Sequence, residues 1–300
     1  MEIFIKDNNL IRKEEWEKLI SSIETAYDTL ETNKERAKRK LKDLIEKAII
    51  TRAENLGKFG ILFSGGIDST LIAFICKQHS FDFTCFTIGL ENSQDIEQAK
   101  IVAENYNFNL KYKILNLEEF ENIVKNTIKI LNNDEIVWVS VGSVLYAASQ
   151  LALQDNIKIL FSGLGTEELF AGYQRHEDSL KNNNFEAVHK ECWGGLKNMW
   201  HRDLLRDYKI SKHLGLELRT PFMDLSVIKN AMQINPMYKL NKDDKKIILR
   251  EIAEDFGLEK EFAWRKKKAA QYGSNFVKGI DKLAKKYNFT TKKEYLQSLL

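Results

Sequence analysis

Between Lys58 and Gln78 an apolar run, KFGILF, passes through a loop of small residues, SGGIDS, into a second apolar run, TLIAFICKQ. The first run is short and has no helical period, which fits a strand buried on both faces. The second predicts a buried helix. The alternation then repeats. FTCFTIG (83–89), NLKYKIL (109–115) and IKILFSG (157–163) predict strands, the first rich in aromatic and β-branched residues. QDIEQAKIVAENY (94–106), LEEFENIVKNTIKIL (117–131) and VGSVLYAASQLAL (141–153) predict helices. Strands alternating with helices imply an α/β fold: a parallel sheet covered by helices on both faces. The first 55 residues predict helix, with Leu41, Leu44, Ile45, Ala48 and Ile49 at helical spacing. After about residue 170 the pattern is mostly helical again. The expected organisation is an N-terminal helical segment over 1–50, an α/β core over 51–175 and a helical subdomain over 176–300 that completes the site.

In an open parallel sheet, ligands sit beyond the carboxyl ends of the strands. Two glycine-bearing loops fall at such ends, Ser64–Ser69 and Ser162–Glu168. In the first, a strand ends, the backbone turns through Gly65 and Gly66, and a helix begins. A helix N-terminus offers unpaired N–H groups and the positive end of a dipole. Ser64 and Ser69 add hydroxyl donors. Asp68 is a poor neighbour for phosphate unless a divalent cation lies between them. A magnesium-bound polyphosphate answers all three observations. The loop is not the GxxxxGK[ST] type, and SGLGTE is not GxGxxG.

Several segments together resemble the asparagine synthetase family of N-type ATP pyrophosphatases. SGGIDS resembles their pyrophosphate-binding loop. LFSGLGTEELFAGY (160–173) resembles the family's LSGxGxDExFGGY, and LGLELRTPFMD (214–224) its xxxExRxPFLD. KKIILRE (245–251) and AWRKKKAAQYG (263–273) resemble its KxxLR and RxK segments, and TIGLENSQDIEQAKIVAENY (87–106) its second strand and helix. The resemblance runs in order over about residues 35–280 and fades in the first 35 and last 20. It implies an adenine nucleotide alpha hydrolase-like fold. It also implies an AMP-forming carbon–nitrogen ligase: a substrate carboxylate attacks the α-phosphorus of ATP, pyrophosphate leaves, and a nitrogen nucleophile displaces AMP to form an amide. Ser64, Gly65, Gly66, Asp68 and Ser69 match the pyrophosphate loop. Leu62, Ile88, Ser162 and Gly163 match positions flanking adenosine. Asp68 and Glu167 match Mg²⁺ ligands. Lys267 matches the lysine that holds the phosphates and stabilises charge on the leaving pyrophosphate.

The sequence departs from that pattern at four places. The synthetase-like part begins by about residue 35, so no glutaminase domain is expected ahead of it. Ammonia is then expected to come free or from a separate glutaminase chain, or to be replaced by an amine. Leu164 stands where the family carries a glutamate near the adenylate, and a leucine accepts no proton. Glu167 stands where the family has aspartate. Asp243 aligns with a family lysine, while Lys246 keeps its match. The main expectation is an amide synthetase acting on another carboxylate. The alternatives are an ammonia-dependent asparagine synthetase and an ATP-binding scaffold or regulatory protein that has lost ligation.

Apolar residues make up 43% of the 300-residue chain and charged residues 30%, with a formal net charge of +3. This balance argues for neither a nucleic-acid nor a membrane protein as a whole. From Trp264 to Tyr295, however, ten Lys/Arg face two acids. That cluster reads as a solvated helical face or an anion site, and its RKKK run keeps RNA open as a partner. Cys76, Cys85 and Cys192 form no CxxC pair, which fits a reducing compartment. With no signal-like start and no membrane-length apolar run, a cytoplasmic protein is expected. A homodimer is left open.

His176, His189, His201 and His213 fit no metal spacing, although His189 and Cys192 form an i,i+3 pair. Trp193, Trp200 and Tyr208 are expected to pack in helical interfaces. Tyr173 is a polar residue at a family-matched position. Glu217 and Arg219 are expected to form a buried ion pair that shapes the site.

Overall fold

The computed structural model describes residues 2–26, 29–181, 184–266 and 269–300. The first elements in chain order are β1 (Ile5–Lys6), β2 (Asn9–Leu10), α1 (Lys13–Glu24), α2 (Lys34–Ala53), β3 (Phe59–Leu62), α3 (Ile67–Gln78), β4 (Phe83–Leu90), α4 (Gln94–Asn105), β5 (Leu110–Leu115), α5 (Leu117–Leu131), α6 (Ile136–Leu153) and β6 (Ile159–Phe161). There follow α7 (Thr166–Leu169), α8 (Gln174–Ser179), α9 (Phe185–Met199), α10 (Leu205–Leu214), β7 (Glu217–Arg219), α11 (Leu225–Gln233), α12 (Ile247–Phe256), α13 (Lys260–Ala263), α14 (Ala270–Gly273), α15 (Phe276–Lys286) and α16 (Lys292–Gln297). A π-helical turn, Trp200–Leu204, joins α9 to α10.

The chain divides into two compact units, each assembled from three segments. The first takes 1–55, 163–204 and 219–264; the second takes 56–162, 205–218 and 265–300.

The second unit carries the sheet, in the order β5-β4-β3-β6-β7. The pairings of β3 with β4, β3 with β6 and β4 with β5 are parallel. All eight residues of β4 are buried, as the unbroken apolar run FTCFTIGL requires of a central strand. The crossovers β3–α3–β4 and β4–α4–β5 step one way along the sheet, and the return through α5 and α6 to β6 steps the other way. Right-handed crossovers therefore place α3 and α4 on one face and α5 and α6 on the opposite face. The reversal occurs between β3 and β6, a topological switch point. The expected α/β class with a parallel sheet covered on both faces is what the protein adopts.

Local chemistry sets the element ends. Asn116 caps α5 by accepting from the Glu119 amide at 2.9 Å, and the Glu119 carboxylate accepts from the Asn116 amide at 3.0 Å. Asn132 ends α5 in the left-handed region at φ 49°. α6 starts at Ile136, five residues ahead of the expected segment. By length and composition it is apolar enough to cross a membrane, but 61% of it is buried inside the protein. Its partners in the core include Val124 and Ile128 of α5 and Phe276, Ile280 and Leu283 of α15.

The described residues of the first unit are mostly helical but include the short β1–β2 hairpin, which the sequence reading of 1–55 as helix did not anticipate. Trp16 of α1 is fully buried and donates its indole N–H to the Leu196 carbonyl at 2.9 Å. The Arg52 guanidinium at the end of α2 pairs with Glu2 at 2.8 Å and Asp224 at 3.0 Å.

Candidate functional site

In the second unit the SGGIDS loop leaves β3 at the switch point and enters α3. Gly65 sits at φ +63°, and a Cβ there would lie 2.9 Å from the Gln98 backbone of α4. Both the dihedral and the space therefore require glycine. The loop is tied from within. Ser69 Oγ donates to the Gly66 carbonyl at 3.2 Å and accepts from the Ser64 amide at 3.4 Å. From Phe63 to Thr70 only Ser64 and Asp68 are less than fully buried. The loop thus presents a hydroxyl, a carboxylate and the first amides of a helix at a bare backbone, the set that cradles phosphate.

Leu62 and Ser162 are half-buried at the ends of β3 and β6. Ile88 is 4% exposed, so its side chain belongs to the core. Its backbone is placed differently. The last β3–β4 pair is Leu62 with Phe86, and the Phe63 amide donates to the Phe86 carbonyl at 2.9 Å. Strand alternation sends the N–H and C=O of Ile88 to the same side as those of Phe86, past the end of β3. A donor and an acceptor side by side there can read the edge of a flat ring.

Lys267 lies outside the described residues. The segment on either side of it is anchored within this unit. Arg265 donates to the Gly65 carbonyl at 3.4 Å. Further on, the Leu90 amide donates to the Ser274 carbonyl at 3.0 Å, Ser93 Oγ to the Gly273 carbonyl at 3.0 Å, and Asn275 Nδ2 to the Asn92 carbonyl at 2.9 Å. A Cβ on Gly273 would fall 2.2 Å from the Asp95 carboxylate, which would have to shift to admit any other residue. The sequence suggested none of these anchors, because their partners lie some 180 positions apart in the chain.

In the first unit the loop from Gly163 to Glu168 is closed by its own side chains. Gly165 adopts φ +97°, and a Cβ there would meet Met223 Sδ at 2.3 Å. Thr166 Oγ1 donates to the Gly163 carbonyl at 3.1 Å and accepts from Lys246 Nζ at 3.1 Å. Lys246 also donates to Glu167 Oε1 at 2.7 Å. Gly172 makes room for that pair, since its Cβ would overlap Glu167 Oε2 at 1.8 Å. Glu168 is 1% exposed and is bonded to Arg202 from the π-helical turn. The Arg175 and Arg202 guanidiniums lie 4.0 and 5.2 Å from the Tyr173 ring centroid. Burial pushes the Glu168 carboxyl up to about 7, against the opposing pull of Arg202. Leu164 is half-buried.

Other expectations are redrawn by the structure. Glu217 is exposed, so it does not belong to a buried ion pair, and Arg219 donates to the Arg52 carbonyl instead. The exposure follows from the position of β7, the end strand of the sheet. Trp193 and Trp200 do pack as expected, with their N–H groups on His189 at 3.0 Å and the Ile11 carbonyl at 2.7 Å. His201 and His213 are exposed. All three cysteines are free and buried.

Among the described residues no group of three or more His, Cys, Asp or Glu is arranged to hold a metal ion. Magnesium keeps several waters and is held by one or two carboxylates together with substrate phosphates. Asp68, beside a loop in which Gly65 admits no Cβ, fits a cation that arrives with a polyphosphate.

The family model described as "Asparagine synthase" matches residues 40–189 and 181–287. A Methanocaldococcus jannaschii protein assigned as glutamine-hydrolysing asparagine synthetase 1 is 33% identical, over 90% of this chain and 56% of its own length. Asparagine synthetase (glutamine-hydrolysing) 2 of Lotus japonicus is 30% identical, over 72% of this chain and 39% of its own. The chain thus spans about half the length of the curated relatives it matches. Among solved structures, an NH3-dependent NAD synthetase from Campylobacter jejuni aligns at TM-score 0.39 and 15% identity, over 89% of this chain and 93% of that one. A U34-tRNA thiolase from Methanococcus maripaludis aligns at TM-score 0.36 and 16% identity, over 88% and 77%.

Proposed function

The chain belongs to the asparagine synthase family, and on that premise we propose that it is an ATP-dependent, AMP-forming amide synthetase. A substrate carboxylate oxygen bonds to the α-phosphorus of ATP, and the bond to the bridging oxygen breaks to release pyrophosphate. A nitrogen nucleophile then attacks the acyl carbon, loses a proton and expels AMP. The observation that carries this reading is the bare backbone turn at Gly65, with Ser64 and Asp68 reaching its surface.

In this reading Ser64, Ser69 and the first amides of α3 hold the pyrophosphate. Leu62, Ser162 and Gly163 flank the nucleoside, and the Ile88 backbone meets the adenine edge. Asp68 ligates Mg²⁺, whose charge offsets that of the phosphates. Lys267 holds the departing pyrophosphate. Glu167 is proposed to ligate Mg²⁺ in its turn by giving up Lys246. The substrates are small molecules, a carboxylate with an amine or ammonia, and a separate glutaminase chain is one source of the ammonia.

Product analysis tests the reaction. Turnover is expected to yield AMP and pyrophosphate in equal amounts with the amide; ADP and phosphate would overturn the assignment. Asparagine formation is the second reading, supported by the names of the relatives. Leu164 bears on it, because no carboxylate stands there to accept a proton from ammonium. Leu164→Glu is expected to raise ammonia-dependent amidation. Unchanged ammonia use in that variant would remove Leu164 from the account.

A further inference from the structure

Lys239 is fully buried in the first unit, and among the described residues its ammonium group has one partner, Met232 Sδ at 3.8 Å. A thioether is a weak acceptor and carries no charge. The other cations whose fields reach this region have their own carboxylates: Arg175 pairs with Glu191, Arg202 with Glu168 and Asp203, and Lys245 with Glu177.

Other buried donors here lack hydrogen-bond acceptors: Arg175 Nε and Nη2 and one ring nitrogen each of His176 and His189. His176 is fully buried, and its Nδ1 accepts from the Tyr173 amide at 3.1 Å. The ring proton therefore sits on Nε2, which has no partner. His189 Nε2 accepts from the Trp193 indole at 3.0 Å, so its proton sits on Nδ1, also buried and unpartnered. The elements that carry these groups pack together: α9, bearing His189, against α8, bearing His176, and against the 3-10 turn Pro236–Tyr238 that leads into Lys239. The Lys239 charge reaches both rings. Burial, with the charges of Arg175 and then Lys239, lowers His176 to about 3, and burial with the charge of Lys239 lowers His189 to about 4, so both rings are neutral donors.

We propose that Lys239, His176 and His189 form an internal binding site for a small monovalent inorganic anion of the halide class. A buried amine with only a thioether partner and two buried N–H groups without acceptors match such an ion in charge and hydrogen bonding. Burial lowers the Lys239 pKa, and an anion beside the amine favours its charged form, which buried water does not do.

Crystals of the full chain grown without halide and transferred to bromide test the site by anomalous diffraction. One bromide per chain is expected, in contact with Lys239 Nζ and both ring N–H groups. In solution the melting temperature should be higher in chloride than in gluconate at equal ionic strength, and should rise with the logarithm of chloride concentration. Lys239→Met keeps the volume and removes the charge; it should abolish the chloride dependence and raise half-saturating bromide by about tenfold or more. If that variant does not fold, His189→Phe serves, with a smaller rise expected. Water in place of bromide, or equal melting temperatures in the two salts, overturns the proposal. So does bromide binding that is unchanged in the variants.

Discussion

The two glycine loops look alike in sequence and differ in what fills them. SGGIDS leaves β3 and spends its internal hydrogen bonds on its own backbone, so Ser64 and Asp68 remain at the surface. SGLGTEE leaves β6 and is occupied by its own side chains, with Lys246 on Thr166 and Glu167 and with Arg202 on Glu168. The first loop is organised around a missing Cβ; the second is organised around ion pairs. Glycine content alone does not make a cradle. In the second loop the nearest charges are already compensated within the protein.

The largest expected effect falls on the first loop. Asp68→Ala should abolish ATP–pyrophosphate exchange, and full activity in that variant would remove the cation assignment. Lys267→Ala should lower the exchange rate by about a hundredfold while ATP still binds, the scale of losing a charge-stabilising group. A rate within about threefold of wild type would leave Lys267 without its role.

The glycines sharpen the comparison through stability. At Gly65 the obstacle to a Cβ is the backbone of α4, and φ is +63°. Gly65→Ala should therefore destabilise the protein by about 1–3 kcal/mol. At Gly172 the obstacle is the free end of the Glu167 side chain, which can turn away. Gly172→Ala should cost under about 1 kcal/mol. Equal costs in chemical denaturation would erase the distinction.

The smallest effects are in pH dependence, and they have opposite signs. Glu168 is raised to about 7 by burial, against Arg202. Its contribution is complete below the ordinary value of 4.5 and is lost as pH rises through about 7. Glu121 in the second unit is pushed up by burial, but Lys125, Lys286 and Tyr287 outweigh this and hold it at about 2. Its contribution is present above 4.5 and lost as pH falls through about 2. Melting curves against pH should lose the neutral-side slope in Glu168→Gln and the acid-side slope in Glu121→Gln.

The sheet was legible in the sequence because buried strands and amphipathic helices leave periodic patterns. KFGILF became Phe59–Leu62 and FTCFTIG became Phe83–Leu90. β7 was not legible: three residues carry no period, and its place rests on the Glu217 amide donating to the Lys158 carbonyl at 2.8 Å. α6 was cut short because Ile136–Ser140 continue an apolar face with no cap to mark the start. The first loop could be read residue by residue, since its chemistry is local. The partners of the second could not. Arg202 reaches Glu168 across 34 positions from a π-helical turn, and Lys246 reaches Glu167 across 79. Neither has a spacing that points back to the loop.

ATP–pyrophosphate exchange, screened across small carboxylates with the wild-type chain and Asp68→Ala side by side, tests the central claim most directly. The account predicts label entering ATP with at least one carboxylate in the wild type and none with any carboxylate in the variant. ATP binding without exchange for every carboxylate would contradict it and leave a nucleotide-binding protein that does not adenylate.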